Sequence, residues 1–415
     1  MEDNKMTYRP YPNSSLKTSL LGYGMMRLPA IGGGSPRDRA DAEIDQDLVN
    51  KEVAYAIRHG VNYFDTAPVY CQGRCEQATR EALRPFPRSE YHITSKLSNF
   101  DRKYWSREES VKMYQQSFVN LGVDYIDSYL LHGVGMGGFD EFMHRFVENG
   151  MIDYLVEERK AGRILNLGFS YHGDVRAFQW LIDHHDQYHW DFVQIEMNYV
   201  DWDYAHELND FNQNASYLYG ELEKHGIPVV VMEPCLGSRL ANLPTFLEER
   251  LKKSDMTKSA ASWAFRYVGS YPQVMVVLSG MTYMENLEEN VGTFSPLVPL
   301  TQDEVEMLHG VAHDMIGLHT VPCNDCKYCM PCPFGVDIPG NFKYYNQAVN
   351  KGCLPKDKDD VHAATFLAGL DEAVAREAQA DHCRQCKHCV PLCPQNIQIP
   401  ERLAEMSQLI AKLRG

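Results

Sequence analysis

Long apolar runs are missing from this sequence. No stretch approaches the ~18 consecutive apolar residues that a membrane-spanning helix needs, and the opening residues MEDNKMTYRPYPNSS have no basic segment leading into an apolar one. Basic charge is also scarce, with 40 Lys and Arg against 56 Asp and Glu and a formal net charge of -16. Such a surface repels phosphate backbones and anionic lipid. The expectation is a cytoplasmic protein with no nucleic-acid partner and no membrane partner. Cysteine is rare over the first three quarters of the chain, where only Cys71, Cys75 and Cys235 occur. Absent too is any G-x-G-x-x-G after the first apolar run, which continues as GMMRLPAIGGG. That absence argues against an open, dinucleotide-binding sheet.

What is present between residues 18 and 295 is an alternation of short apolar runs with amphipathic stretches of helical length, the mark of repeated βα units and a parallel sheet. Eight runs read as strands: Leu20 to Met25, Val61 to Asp65, Tyr91 to Lys96, Tyr125 to His132, Ile164 to Ser170, Phe192 to Asn198, Pro228 to Glu233 and Val274 to Ser279. Each is nearly continuous in apolar residues, as strands covered on both faces are. Between them, Asp47 to His59, Arg107 to Leu121, Val175 to Asp186 and Lys258 to Tyr267 space apolar residues three and four apart. Eight strands with crossover helices predict a closed (β/α)8 TIM barrel. The Thr301/Glu304 pair then opens a last helix with a capping box. A barrel over residues 1–317 and a small, mainly helical domain over 318–415 are the expected division.

The small domain holds the other nine cysteines. Disulfides are unexpected for a cytosolic protein, so metal ligation is the natural reading. Cys383-x2-Cys386-x2-Cys389-x3-Cys393-Pro394 is the bacterial ferredoxin spacing, and Cys323-x2-Cys326-x2-Cys329-x2-Cys332-Pro333 is one residue shorter. Tight C-x-x-C spacing lets one turn of backbone offer thiolates to three corners of a cubane. Two adjacent four-cysteine runs, each ending in Cys-Pro, favour iron-sulfur chemistry over structural zinc. Cys353 is left over. Similar tails, Pro333 to Pro339 and Pro394 to Pro400, mark an internal duplication. This region resembles helical two-cluster ferredoxin domains fused to redox enzymes. The resemblance implies two [4Fe-4S] clusters, one held by Cys323, Cys326, Cys329 and Cys393, the other by Cys383, Cys386, Cys389 and Cys332.

Several strand ends carry groups that a bare scaffold does not need: Asp65 with Tyr70 just beyond it, Lys96, and His132. Barrel enzymes place catalytic groups at the C-terminal ends of strands. A phenol, an ammonium, a carboxylate and an imidazole form a proton-donating set for a carbonyl: Tyr70 as acid, Lys96 lowering its pKa, Asp65 pairing Lys96 and His132 orienting the substrate. Taken singly, an Asp there caps a turn, a Tyr packs and a His is a satisfied core residue. Their order at consecutive strand ends favours the concerted reading.

The stretch FDTAPVYCQGRCE resembles the Asp-Thr-Ala-x-x-Tyr signature of the aldo-keto reductase family, and Gly168-Phe-Ser170, Gln194 to Asn198 and Leu287 to Asn290 resemble its later motifs. The resemblance spans residues 18 to 295. It implies Asp65, Tyr70, Lys96 and His132 as a catalytic tetrad acting on a small-molecule carbonyl. Ser170 and Gln194 would bind the carboxamide of NAD(P)(H), and Met232, Ser279, Gly280, Asn286, Glu289 and Asn290 would complete the cofactor site. Tyr171 replaces the family's Asn, Met232 its stacking aromatic, and Gly280 and Asn286 the Lys and Arg that grip a 2′-phosphate. Loss of those cations removes charge-assisted phosphate contacts, which leaves both NAD and NADP open.

Three functions remain. The first is a carbonyl/alcohol oxidoreductase whose clusters relay electrons, with a possible one-electron redox partner. The second is a hydride-transfer reductase with structural or redox-sensing clusters, and the third a non-catalytic electron-carrier or regulatory subunit. Hydride carries two electrons and clusters pass one, so flavin is also left open as a coupling cofactor.

Overall fold

The computed structural model describes residues 5–37, 42–209, 211–318 and 320–415. Eight parallel strands close into a barrel: β1 (Leu21–Gly24), β2 (Tyr63–Asp65), β3 (His92–Leu97), β4 (Ile126–Val134), β5 (Ile164–Tyr171), β6 (Phe192–Glu196), β7 (Val229–Met232) and β8 (Val274–Ser279), each paired with its sequence neighbour and β8 with β1. Every expected strand is present. Their residues are almost all buried, because helices cover the outside and side chains fill the inside. Helices Gln46–Arg58, Arg107–Leu121, Val175–Asp183 and Ala260–Gly269 occupy the stretches with helical spacing. Asp45, Ser106 and Asp174 cap the first three by accepting backbone N–H bonds.

An antiparallel pair of two-residue strands, Tyr8–Arg9 and Thr18–Ser19, precedes the barrel. Tyr11, in the turn between them, is buried with Tyr63, Leu130, Phe192, Val230 and Met275. Its ring lies 4.0 Å from that of His92, and its hydroxyl bonds Ser128. Tyr63, His92 and Phe192 open their strands, so this turn plugs the N-terminal end of the barrel. Close packing explains Gly168 in β5: a Cβ there would sit 2.4 Å from the Phe192 carbonyl oxygen on β6.

The chain forms two compact units, and they do not divide at a single point. The first comprises residues 1–202, 213–234 and 262–301; the second comprises 203–212, 235–261 and 302–415. Bonds within the second unit give the reason: Arg250 pairs with Asp314 at 2.5 Å, Arg239 donates to Thr320 at 3.2 Å, and Asn209 donates to the Pro394 carbonyl at 3.4 Å. Its core joins Val336, Ile338, Phe342, Leu370, Ile399 and Leu403 to Cys329 and Cys389. Cys353 is half-buried beside a smaller apolar group, its thiol 3.5 Å from the Ala348 carbonyl.

The duplication inside this unit is visible in backbone conformation. Asp325 and Lys327 have φ of 55° and 61°, and their counterparts Gln385 and Lys387 have 53° and 61°. After each run comes a helix with Pro in its first turn, Ile338–Asn350 and Ile399–Arg414.

Candidate functional site

In the first unit, Asp65 ends β2, Tyr70 opens the short turn Tyr70–Gly73, and Lys96 and His132 lie late in β3 and β4. All four are nearly inaccessible, Lys96 completely so. Lys96 Nζ donates to Asp65 Oδ1 at 2.5 Å and to the Thr66 carbonyl at 3.0 Å. It stands 4.9 Å from the centre of the Tyr70 ring, whose plane meets the His132 ring edge-on at 5.7 Å. The fold thus gathers all four side chains. Burial pushes Lys96 below the ordinary lysine range and Asp65 above the ordinary carboxylate range, opposed in both cases by their mutual attraction. Removing one partner of such a pair leaves an uncompensated buried charge, at a cost of about 3–5 kcal/mol.

His132 is held from two sides. Its Nδ1 lies 2.6 Å from Ser98 Oγ, and its ring packs on Phe100 at 4.9 Å. Burial, then the Lys96 charge and further His and Arg charges, holds the imidazole well below its usual pKa, so it is neutral near pH 7. Sequence reasoning missed Arg145. This fully buried guanidinium donates to the His132 carbonyl at 2.6 Å and the Gly133 carbonyl at 3.3 Å, with Phe100 and Phe146 against it at 4.7 and 4.6 Å. Burial pushes its pKa down to about 10. An Arg inside a helical stretch ordinarily reads as surface, and only the fold reveals that it clamps the end of β4.

Ser170 and Gln194 are paired across β5 and β6. The Ser170 hydroxyl accepts the Gly133 N–H at 3.0 Å. Gln194 directs Nε2 at Met232 Sδ, 3.2 Å away, while its buried Oε1 has no hydrogen-bond partner among the described residues. A buried unpaired amide oxygen costs roughly 1–3 kcal/mol, and an incoming N–H donor such as a carboxamide would satisfy it. Asn290 donates to Ser279 Oγ at 3.1 Å, whereas Asn286 and Glu289 are exposed on the helix Met284–Thr293. Gly280 is tightly placed: a Cβ would lie 3.3 Å from the Arg27 stem.

In the second unit, a cavity is lined by Cys323, Cys326, Cys329 and Cys393 with Ile338, Pro339, Phe342, Ile397 and Ile399. Cys389 interacts electrostatically with Cys383, Cys386 and Cys332, which stand around it. Each group of four therefore takes three cysteines from one run and the last from the other. Thiols converging from several segments into apolar surroundings suit a four-iron cubane. Burial raises the Cys323 and Cys389 thiols to about 11, so iron binding there must displace protons. Anaerobically prepared protein is expected to contain about eight irons per chain with matching sulfide. Stoichiometric zinc without iron would refute this.

The aldo/keto reductase family model matches residues 20–313, and a 4Fe-4S dicluster domain model matches residues 322–398. L-galactose dehydrogenase of Arabidopsis thaliana is 23% identical over 316 residues, 72% of this chain and 92% of the relative. The NADH-specific methylglyoxal reductase of Escherichia coli is 25% identical over 321 residues, 69% and 93% of the two chains. Among solved structures, an aldo-keto reductase from Bacillus halodurans aligns with a TM-score of 0.57 at 21% identity, covering 74% of this chain and 96% of its own. One from Klebsiella pneumoniae, in complex with NADPH, aligns at 0.56 and 17%, covering 74% and 95%. Among the described residues no helix is long and apolar enough to cross a membrane. The chain is an oxidoreductase that belongs to the aldo/keto reductase family, its barrel followed by a 4Fe-4S dicluster domain.

Proposed function

We propose that the barrel interconverts a small carbonyl compound and its alcohol, with Tyr70 as the group that gives and takes the proton. The observation that carries this reading is the buried Lys96–Asp65 pair against the Tyr70 ring, with His132 edge-on to the same ring. A bound nicotinamide supplies hydride. The protein's own groups do the rest. Lys96, held cationic by Asp65, favours the phenolate form of Tyr70 and so makes the phenol a better acid. Neutral His132, with Nδ1 engaged by Ser98, has Nε2 left to hold the carbonyl oxygen. Gln194 Oε1 supports carboxamide binding by its lack of a hydrogen-bond partner among the described residues. The choice between NAD and NADP is read in part from Gly280 and Asn286, which bring no cation to a 2′-phosphate.

Deuterium at the reactive carbon of NADH or NADPH is expected in the alcohol product of a carbonyl substrate. Turnover with no label transferred, under either cofactor, would refute the hydride reading.

For the second unit we propose electron exchange with an outside one-electron carrier. Support comes from the open position of Cys386. The alternative, a structural role, rests on Cys329 and Cys389 standing within the unit's apolar core. Residues 235–261, which leave the barrel after Met232 and Pro234, belong to the same unit as the cysteine runs.

A further inference from the structure

The two cysteine loops are copies of one motif, yet their surroundings differ. Around the first, the segment after β7 covers the loop: Gly237, with φ of 59°, packs so closely that a Cβ would sit 2.2 Å from the Asn324 carbonyl oxygen. Asn324 is buried, and Asp325, Cys326 and Lys327 are half-covered. The second loop has no such cover. Arg384, Gln385, Cys386, Lys387 and His388 are exposed in succession, and Cys386 is the one exposed cysteine of the eight.

Positive charge is a second feature of this loop. Residues 382–400 contain no Asp or Glu, in a chain of net charge -16. Among the described residues, Arg384 and Lys387 have no ion-pair partner. Asp381, the preceding acid, is neutralised by Arg376 at 2.5 Å. Beside the loop stand exposed Pro391 and Leu392. Electron-transfer encounters use small contact areas, and complementary charge sets their rates.

We propose that the loop 384–392 is the docking surface for a small acidic protein that carries single electrons, and that the cluster held by Cys332, Cys383, Cys386 and Cys389 is the port through which they pass. Each encounter oxidises the carrier by one electron and reduces one cluster by one electron, with no bond made or broken at the surface. The proposal rests on the electron-exchange reading of the clusters.

The test uses anaerobic holoenzyme and stopped-flow mixing with a reduced acidic ferredoxin, alongside photoreduced deazariboflavin, a small neutral donor. For the wild type, the ferredoxin rate constant should fall steeply as salt is raised, and the neutral donor's should not. Double charge reversal, Arg384→Glu with Lys387→Glu, should slow the ferredoxin reaction by about tenfold or more at low salt and leave the neutral reaction unchanged. Reversing Lys160 and Lys224 instead, an equal change in net charge, should have little effect. Iron content and visible spectra check that the clusters survive. A salt-independent ferredoxin rate in the wild type, or equal loss in both double variants, overturns the docking surface. Failure of the neutral donor to reduce intact clusters overturns the electron-exchange reading itself, and the port with it.

Discussion

Replacement of Tyr70 by Phe is expected to lower carbonyl turnover by at least ~100-fold, the usual cost of losing a general acid, with the barrel and the iron content intact. Only one oxygen is removed. The ring stays against Lys96 at 4.9 Å and edge-on to His132 at 5.7 Å, so packing is preserved and the effect isolates proton transfer. Substrate binding should change little, because His132 still offers its ring nitrogen; kcat should fall far more than KM rises. Substituting Lys96 or Asp65 would be a poorer probe, since each leaves the other's buried charge uncompensated and confounds catalysis with stability. Single-turnover hydride transfer under saturating cofactor, with melting and iron content measured on the same sample, decides the matter. Unchanged turnover in Tyr70→Phe would remove the phenol, and the tetrad built around it, from the chemistry.

Much of this site is legible in the sequence, for physical reasons that also explain the omissions. The barrel strands are covered on both faces and therefore appear as continuous apolar runs, and polar residues at their ends, such as Asp65 and His132, break those runs conspicuously. Cysteine spacing is equally direct, because cluster ligation ties thiols to fixed intervals along a tight turn. Strands of two residues, such as Tyr8–Arg9, have no periodicity to detect. Tyr11 at the barrel's closed end and Arg145 behind His132 owe their roles to contacts across 117 and 13 residues of chain. The inclusion of 203–212 and 235–261 in the second unit is also invisible to pattern reading, since both segments look like ordinary loops and short helices between strands. The burial asymmetry between the two cysteine loops belongs to the same class, because the cover over the first comes from Gly237, far away in the sequence.

Replacement of Cys386 by Ala is expected to reduce the iron content from about eight to about four per chain and to abolish turnover driven by a one-electron donor, while NAD(P)H-linked carbonyl reduction persists. The choice of cysteine matters. Cys329 and Cys389 are in the apolar core of the second unit, so their loss would open cavities and mix packing with redox effects. Cys386 is exposed, and its truncation removes a ligand with little loss of buried area. Cys353 is no substitute, because its thiol is directed at the Ala348 carbonyl. If the clusters serve only to hold the unit together, the pattern differs: melting of the second unit should fall, since metal-binding free energy there is folding free energy, and one-electron-driven turnover should survive in the folded fraction. Both assays belong on one anaerobic preparation, with iron, sulfide and thermal unfolding measured in parallel. A variant that has lost four irons yet retains full one-electron-driven turnover would exclude the relay. A variant that keeps hydride chemistry and loses only the one-electron route would place the two chemistries in separate units of one chain, with the exposed cysteine loop as the entrance to the second.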